Sequence, residues 1–190
     1  YSNCMKIGTF DLETSSLYAN SGIVLCGWVK DYIKGGVKTF RADTYPNWKT
    51  NKRHNRLVVV DIMNELSEYD ILICHNGQYF DKAWLNTACL KYGLHPTLRG
   101  IKFIDPVLIA RRHMRMARNS LAALIDYFDI EDAKTPIRFA YWIEASHDGN
   151  RKSMDYIVKH CERDVIALEQ VYDKVRRLVK QIDDGGSAFR

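Results

Sequence analysis

Residues 5–42, MKIGTFDLETSSLYANSGIVLCGWVKDYIKGGVKTFRA, decide the fold. Met5 to Leu12 alternates and then runs into acids, which reads as a first strand. Gly22 to Lys30 reads as a second strand and Val37 to Ala42 as a third, with Lys34-Gly35-Gly36 as the hairpin turn between them. Strands two and three are therefore expected to run antiparallel to their neighbours. Downstream the pattern changes to strand–helix alternation. Leu57 to Tyr69 reads as a helix, Asp70 to Cys74 as a short buried strand, and Phe80 to Tyr92 as a helix stopped by Gly93. Ile101 to Ile104 is another buried strand, and Asp105-Pro106 caps and opens a helix through about Arg118. Asn119-Ser120 caps a helix over Leu121 to Phe128. A long last helix is expected from about Lys152 to Ile182, apolar at Ile157, Cys161, Val165, Leu168, Val171, Val175 and Leu178. Residues 43–56 and 129–150 read as irregular, and 183–190 as a frayed tail. Three strands with a hairpin followed by alternation predict an α/β fold, a mixed sheet with helices on its faces.

At 190 residues, 46% of them hydrophobic, the chain is expected to form a single domain over residues 1–190. Formal charge is +5, a balance that suits a polyanionic partner. The five cysteines (Cys4, Cys26, Cys74, Cys89, Cys161) are odd in number and contain no Cys-x-x-Cys pair. They read as reduced core thiols, with neither a zinc site nor a disulfide framework indicated, and predict a reducing, cytoplasmic setting. No stretch approaches a membrane span and no secretory signal opens the chain, so no membrane partner is expected.

Chemistry concentrates in three acidic stretches: Phe10-Asp11-Leu12-Glu13-Thr14, His75-Asn76-Gly77-Gln78-Tyr79-Phe80-Asp81 and His160-Cys161-Glu162-Arg163-Asp164-Val165. Asp11 and Glu13, two apart on a strand, point to one face. Asp81 falls near the start of a helix beside the end of a buried strand, a place where an acid can also be a simple cap. His160 and Asp164, four apart, share one face of the last helix. Carboxylates clustered in a partly dry site repel one another, so a cation must hold them ionised. Oxygen-only ligands favour Mg²⁺ or Mn²⁺, and two such ions are the usual apparatus for hydrolysing a phosphodiester. The chain therefore reads as a metal-dependent nuclease.

Taken together, these stretches resemble the DEDD superfamily of 3′–5′ exonucleases, which have a ribonuclease H-like fold. Asp11 and Glu13 match its first motif. His75, Asn76, Phe80 and Asp81 match its second, and Asp164 its third. The resemblance covers Met5 to about Leu178. It implies that Asp11, Glu13, Asp81 and Asp164 bind two Mg²⁺ or Mn²⁺ ions while His160 orients or deprotonates the attacking water. Nucleoside 5′-monophosphates would be released from the 3′ ends of single-stranded nucleic acid. By the same analogy Leu12, Glu13 and Thr14, with Asn76 and Phe80, would hold the terminal nucleotide. One departure stands out. The superfamily carries either a Tyr with three residues before the last Asp or a His with four, whereas His160 is followed by three. Four residues advance a helix by about 400°, so His160 takes the tyrosine's place. Tyr156 matches neither spacing, and Glu162 is an outside candidate as an extra ligand.

Basic residues offer contacts to the strand. Arg111, Arg115 and Arg118 are expected on one helical face, and Lys49, Lys52, Arg53 and Arg56 crowd an irregular loop. Each group reads equally as a solvated charged face. Tyr141 and Trp142 can stack on bases or lie in the core. Three functional readings follow. The first is a stand-alone exonuclease with DNA preferred to RNA. The second is a proofreading domain of a polymerase, with a replication or repair partner; a first residue other than Met keeps it open. The third is a non-catalytic nucleic-acid-binding module of the same fold, against which the four intact acids count.

Overall fold

In the computed structural model, residues 5–131, 136 and 138–179 are described. Five strands form one sheet in the order β3-β2-β1-β4-β5. The strands are β1 (Ile7–Thr14), β2 (Val24–Asp31), β3 (Val37–Arg41), β4 (Ile71–Ile73) and β5 (Lys102–Ile104). β1, β2 and β3 pair antiparallel, whereas β4 and β5 run parallel to β1. The sheet is mixed, as the hairpin and the later alternation predict. The β2–β3 turn closes by Gly35 N donating to Asp31 O and Asp31 N donating to Gly36 O, both at 2.8 Å. Gly35 sits there at φ 77°, which a residue without Cβ adopts freely.

Helices cover both faces of the sheet. α1 (Arg56–Leu66) packs on β2, β3 and α2 (Asp81–Lys91). The long α6 (Arg151–Val175) crosses β1 and β2 and supports α3 (Pro106–His113) and α4 (Leu121–Tyr127). Its stripe from Ile157 through Cys161, Val165, Leu168 and Val171 to Val175 is buried throughout. Leu178 is 44% exposed, so the stripe stops finding a surface and the helix tightens into a 3₁₀ turn over Arg176–Leu178. The predicted continuation to Ile182 and the tail 183–190 lie largely outside the described residues.

Two expectations are corrected. α3 ends at His113, not near Arg118, because Met114 turns to extended backbone. From there the chain alternates. Met114 and Met116 pack half-buried against the apolar cluster beneath α6 while Arg115 stays exposed, a period-2 solution that turns both methionines inward. Arg111, Arg115 and Arg118 therefore share no helical face. Nor is the stretch 129–150 wholly irregular. It holds a short helix, α5 (Phe139–Ile143), which runs into a π-helical turn over Glu144–Asp148 closed by Gly149 at φ 71°. Asn150 then caps α6, its side chain accepting from Lys152 N and Ser153 N.

Central β1 approaches the layer above it closely at Gly8. A Cβ there would stand 2.8 Å from Cδ1 of Tyr69, whose hydroxyl is tied to Glu65. Gly8→Ala should destabilise the protein by about 1–3 kcal/mol through overpacking. Urea denaturation should show a lower midpoint at unchanged slope, and a midpoint equal to the parent's would mean that the ring moves aside at no cost.

Candidate active site

The site forms where the end of β1 meets the middle of α6. Asp11 and Glu13 lie on the face of β1 turned toward that helix, paired with Trp28 and Cys26 of β2. The register slips between Glu13 and Thr14, passing over Leu25, an irregularity of the kind that re-aims a side chain at a strand end. From α6, His160 Nε2 stands 3.8 Å from Glu13 Oε1 and 3.5 Å from Asp164 Oδ2. Glu13, His160 and Asp164 each present a ligand atom, all within 4.8 Å of one another. Cys161 ties the two elements together by donating its thiol to Asp11 O at 3.4 Å.

Asp81 arrives from the other side of β1. After β4 the chain turns through Asn76 at φ 55° and Gly77. A Cβ on Gly77 would be 2.2 Å from Cys74 Sγ, so only glycine permits this turn. Asn76 N donates to Asp105 Oδ2 at 2.9 Å, and Phe80 N to Asn76 O at 2.9 Å. The turn delivers Asp81 as the first residue of α2, 3% exposed, with Oδ1 lacking any hydrogen-bond partner.

These carboxyls disfavour one another's charge. Burial pushes Asp11 up to about 7, with the Asp164 charge adding to it. Glu13 is held well above the carboxylate range by burial and by Asp11, and a hydrogen bond from Trp142 opposes the shift. Asp81 is likewise raised by burial and by Asp11. Asp164 is raised by burial and partly relieved by His160. Four mutually repelling carboxyls, one with an orphaned buried oxygen, form a donor set that fits a hard divalent cation.

A cavity of about 470 Å³ opens onto this cluster. Leu12, Thr14 and Phe80 line one side, as the resemblance implies, and Phe139, Trp142 and Ile143 of α5 line the other. Trp142, which the sequence leaves open between base stacking and core, packs half-buried against the core and also holds the Glu13 carboxyl. Its indole Nε1 donates to Glu13 Oε2 at 3.0 Å, and its ring meets His160 edge-on at 5.5 Å. A signal for this wall exists in the sequence: Phe139, Trp142 and Ile143 fall at i, i+3 and i+4, an apolar helical face turned to the cavity. Other candidates are not brought here. Asn76 is exposed and lines no part of the cavity; Arg111 and Arg115 are exposed on and after α3; Glu162 lies outside the cluster. Tyr156 donates its hydroxyl to Pro136 O and packs edge-on against Tyr141, which removes it as a substitute for His160.

Comparison with known proteins places this architecture. No curated protein matches the chain. Among solved structures, the family B DNA polymerase from the hyperthermophilic archaeon Pyrobaculum calidifontis superposes with a TM-score of 0.70 at 16% identity. The match covers 90% of this chain and 24% of the polymerase, a likeness of fold. The sequence profile of the RNase H superfamily matches residues 9–176, from β1 to the end of α6. A match of that extent is decisive: this chain belongs to the RNase H superfamily.

Proposed function

We propose that the chain is a metal-dependent 3′–5′ exonuclease of the DEDD kind, acting on single-stranded nucleic-acid ends, DNA in preference to RNA. The observation that carries this is the convergence of Glu13, His160 and Asp164, with Asp11 and Asp81 in electrostatic reach, at the mouth of one cavity. The 3′–5′ direction rests on the resemblance of the three motifs. Asp11, Glu13, Asp81 and Asp164 would hold two Mg²⁺ or Mn²⁺ ions, which when bound supply an activated water and offset charge on the phosphate and the leaving oxygen. Trp142 fixes the Glu13 carboxylate from behind. His160 Nε2 is set between two of these acids, and in this reading it takes the proton of the attacking water. Phe80 and Leu12 offer apolar surface to the terminal base, a contact that tolerates any sequence.

A second role for His160 is favoured by the same geometry. Its ligand atom is as close to Glu13 and Asp164 as a metal-binding set requires, so the imidazole is a candidate ligand as well as a base. The context also has two readings, a stand-alone enzyme or a nuclease domain working beside a polymerase. The share of the archaeal polymerase that the chain matches supports the latter.

Cleavage of a labelled oligonucleotide should vanish in EDTA and return with Mg²⁺ or Mn²⁺; persistence in chelator would sink the reading. Asp11→Ala and Asp164→Ala should each abolish cleavage while the protein stays folded. His160→Ala should slow cleavage by roughly 10²–10⁴ if the imidazole is a general base. His160→Tyr should then keep more activity than the alanine variant without weakening metal binding by calorimetry. A loss of metal affinity in both variants would assign His160 as a ligand instead.

The raised carboxyls predict how stability responds to pH in EDTA. Asp11 titrates near 3.9 when unfolded and near 7 when folded, so between those values the folded state binds the extra proton. Stability must then fall as pH climbs toward 7 and level off above it. Melting temperature in EDTA should therefore drop between pH 5 and about 7.5, and Asp11→Asn should flatten the drop. Mg²⁺ or Mn²⁺ should raise the melting temperature at pH 7.5. A profile that rises over this window would contradict the burial of these acids.

A further inference from the structure

A second cavity, also of about 470 Å³, lies between α2 and the loop that leads into β5. Lys82, Asn86, His95, Pro96, Arg99 and Gly100 line it. No acid lines it, and among the described residues neither Arg99 nor His95 has an acidic partner. Lys82 Nζ rests over the Phe103 ring at 4.9 Å, which holds the ammonium at the rim instead of free in solvent. Asn86 lines the same cavity, its Oδ1 buried with no hydrogen-bond partner. Lys82 and Asn86 are one turn apart on the same face of α2, so they form one wall, about 6 Å long.

Position gives this wall its meaning. Lys82 follows Asp81 directly, so the cavity begins one residue from the carboxylate cluster and runs away from it along α2. We propose that this cavity holds the sugar–phosphate backbone of the substrate strand a few nucleotides before its 3′ end, with Lys82 and Arg99 each on a phosphate. The assignment deepens the nuclease reading and rests on it. Two cations in a cavity that no acid lines suit the phosphates of a backbone. The cavity takes over the part that the α3 arginines were expected to play, since those share no face.

The test separates the strand path from the chemistry. Binding of a 5′-fluorescein-labelled single-stranded DNA 12-mer is followed by anisotropy in EDTA. There no divalent ion bridges the acids to the 3′ end, so the basic side chains dominate binding. In the double variant Lys82→Gln/Arg99→Gln, Kd should rise about tenfold at low salt. The slope of log K against log salt should become shallower by about 1.4, roughly 0.7 for each phosphate that is no longer neutralised. Hydrolysis of a dinucleotide, too short to reach the cavity, should keep the parent's kcat/KM in Mg²⁺ or Mn²⁺. An unchanged Kd and salt slope would overturn the proposal, as would an equal loss on the dinucleotide. Equal weakening of thymidine 5′-monophosphate binding would mark a free-nucleotide site and overturn it too. If the unaltered protein cleaves neither substrate the nuclease reading fails, and the binding measurements still decide whether the cavity carries a strand.

Discussion

Carboxyls at the end of β1, at the start of α2 and halfway along α6 are held close enough that each disfavours the ionisation of another. Such a cluster works against folding unless neighbouring groups fix it, and much of the surrounding structure does so. Gly77 lets the chain fold tightly over Cys74 and set Asp81 at a helix start. The Cys161 thiol binds α6 to β1 at Asp11, and the register slip past Leu25 turns the strand end beside it. The indole of Trp142 holds one Glu13 oxygen. Each of these ties fixes a carboxyl position, which is how a protein preorganises charge where charge is unwelcome.

The two helical contributions to the site differ in character. α6 is long and buried along a full stripe, so His160 and Asp164 are placed by a rigid rod packed on the sheet. α5 is five residues long and has no buried residue of its own. It is connected to α6 by the π-helical turn and Gly149, and its apolar side chains face the cavity. One wall of the site is thus anchored to the core, while the other is held mainly by Trp142 and by its junction with α6. Irregular turns of this kind are common where a helix must serve a site instead of a core.

How well the sequence can be read tracks how each segment is buried. β1 and β2 are apolar runs buried on both faces, the Gly35 turn marks the β2–β3 hairpin, and α6 carries a long helical stripe, so their predicted types hold. The ends of the α3 and α6 predictions overshoot for one reason: charged residues are compatible with helix or coil, so the pattern does not say where packing ends. At Met114 and Met116 the period changes from helical to alternate within three residues, too briefly to register as an element. α5 escapes a sequence reading because its apolar face is aimed at a cavity, and a three-residue match looks like chance. The same holds at the site. The acids are legible from their spacing along β1 and α6, while the hold of Trp142 on Glu13 becomes visible only when two segments 129 positions apart are brought together.

The thiol of Cys161 and the carbonyl of Asp11 close a loop of 150 positions. A strand that enters the sheet centre first must wait for the last long helix before its acids meet His160 and Asp164. Closing so long a loop is entropically costly and slow to find, and it rewards the chain only when nearly all of it is in place. A growing polypeptide that has made β1 through α5 therefore carries only Asp11, Glu13 and Asp81 of the cluster, without His160 or Asp164. In this fold the full set of acids comes together late, so partly synthesised or partly unfolded copies carry an incomplete cluster.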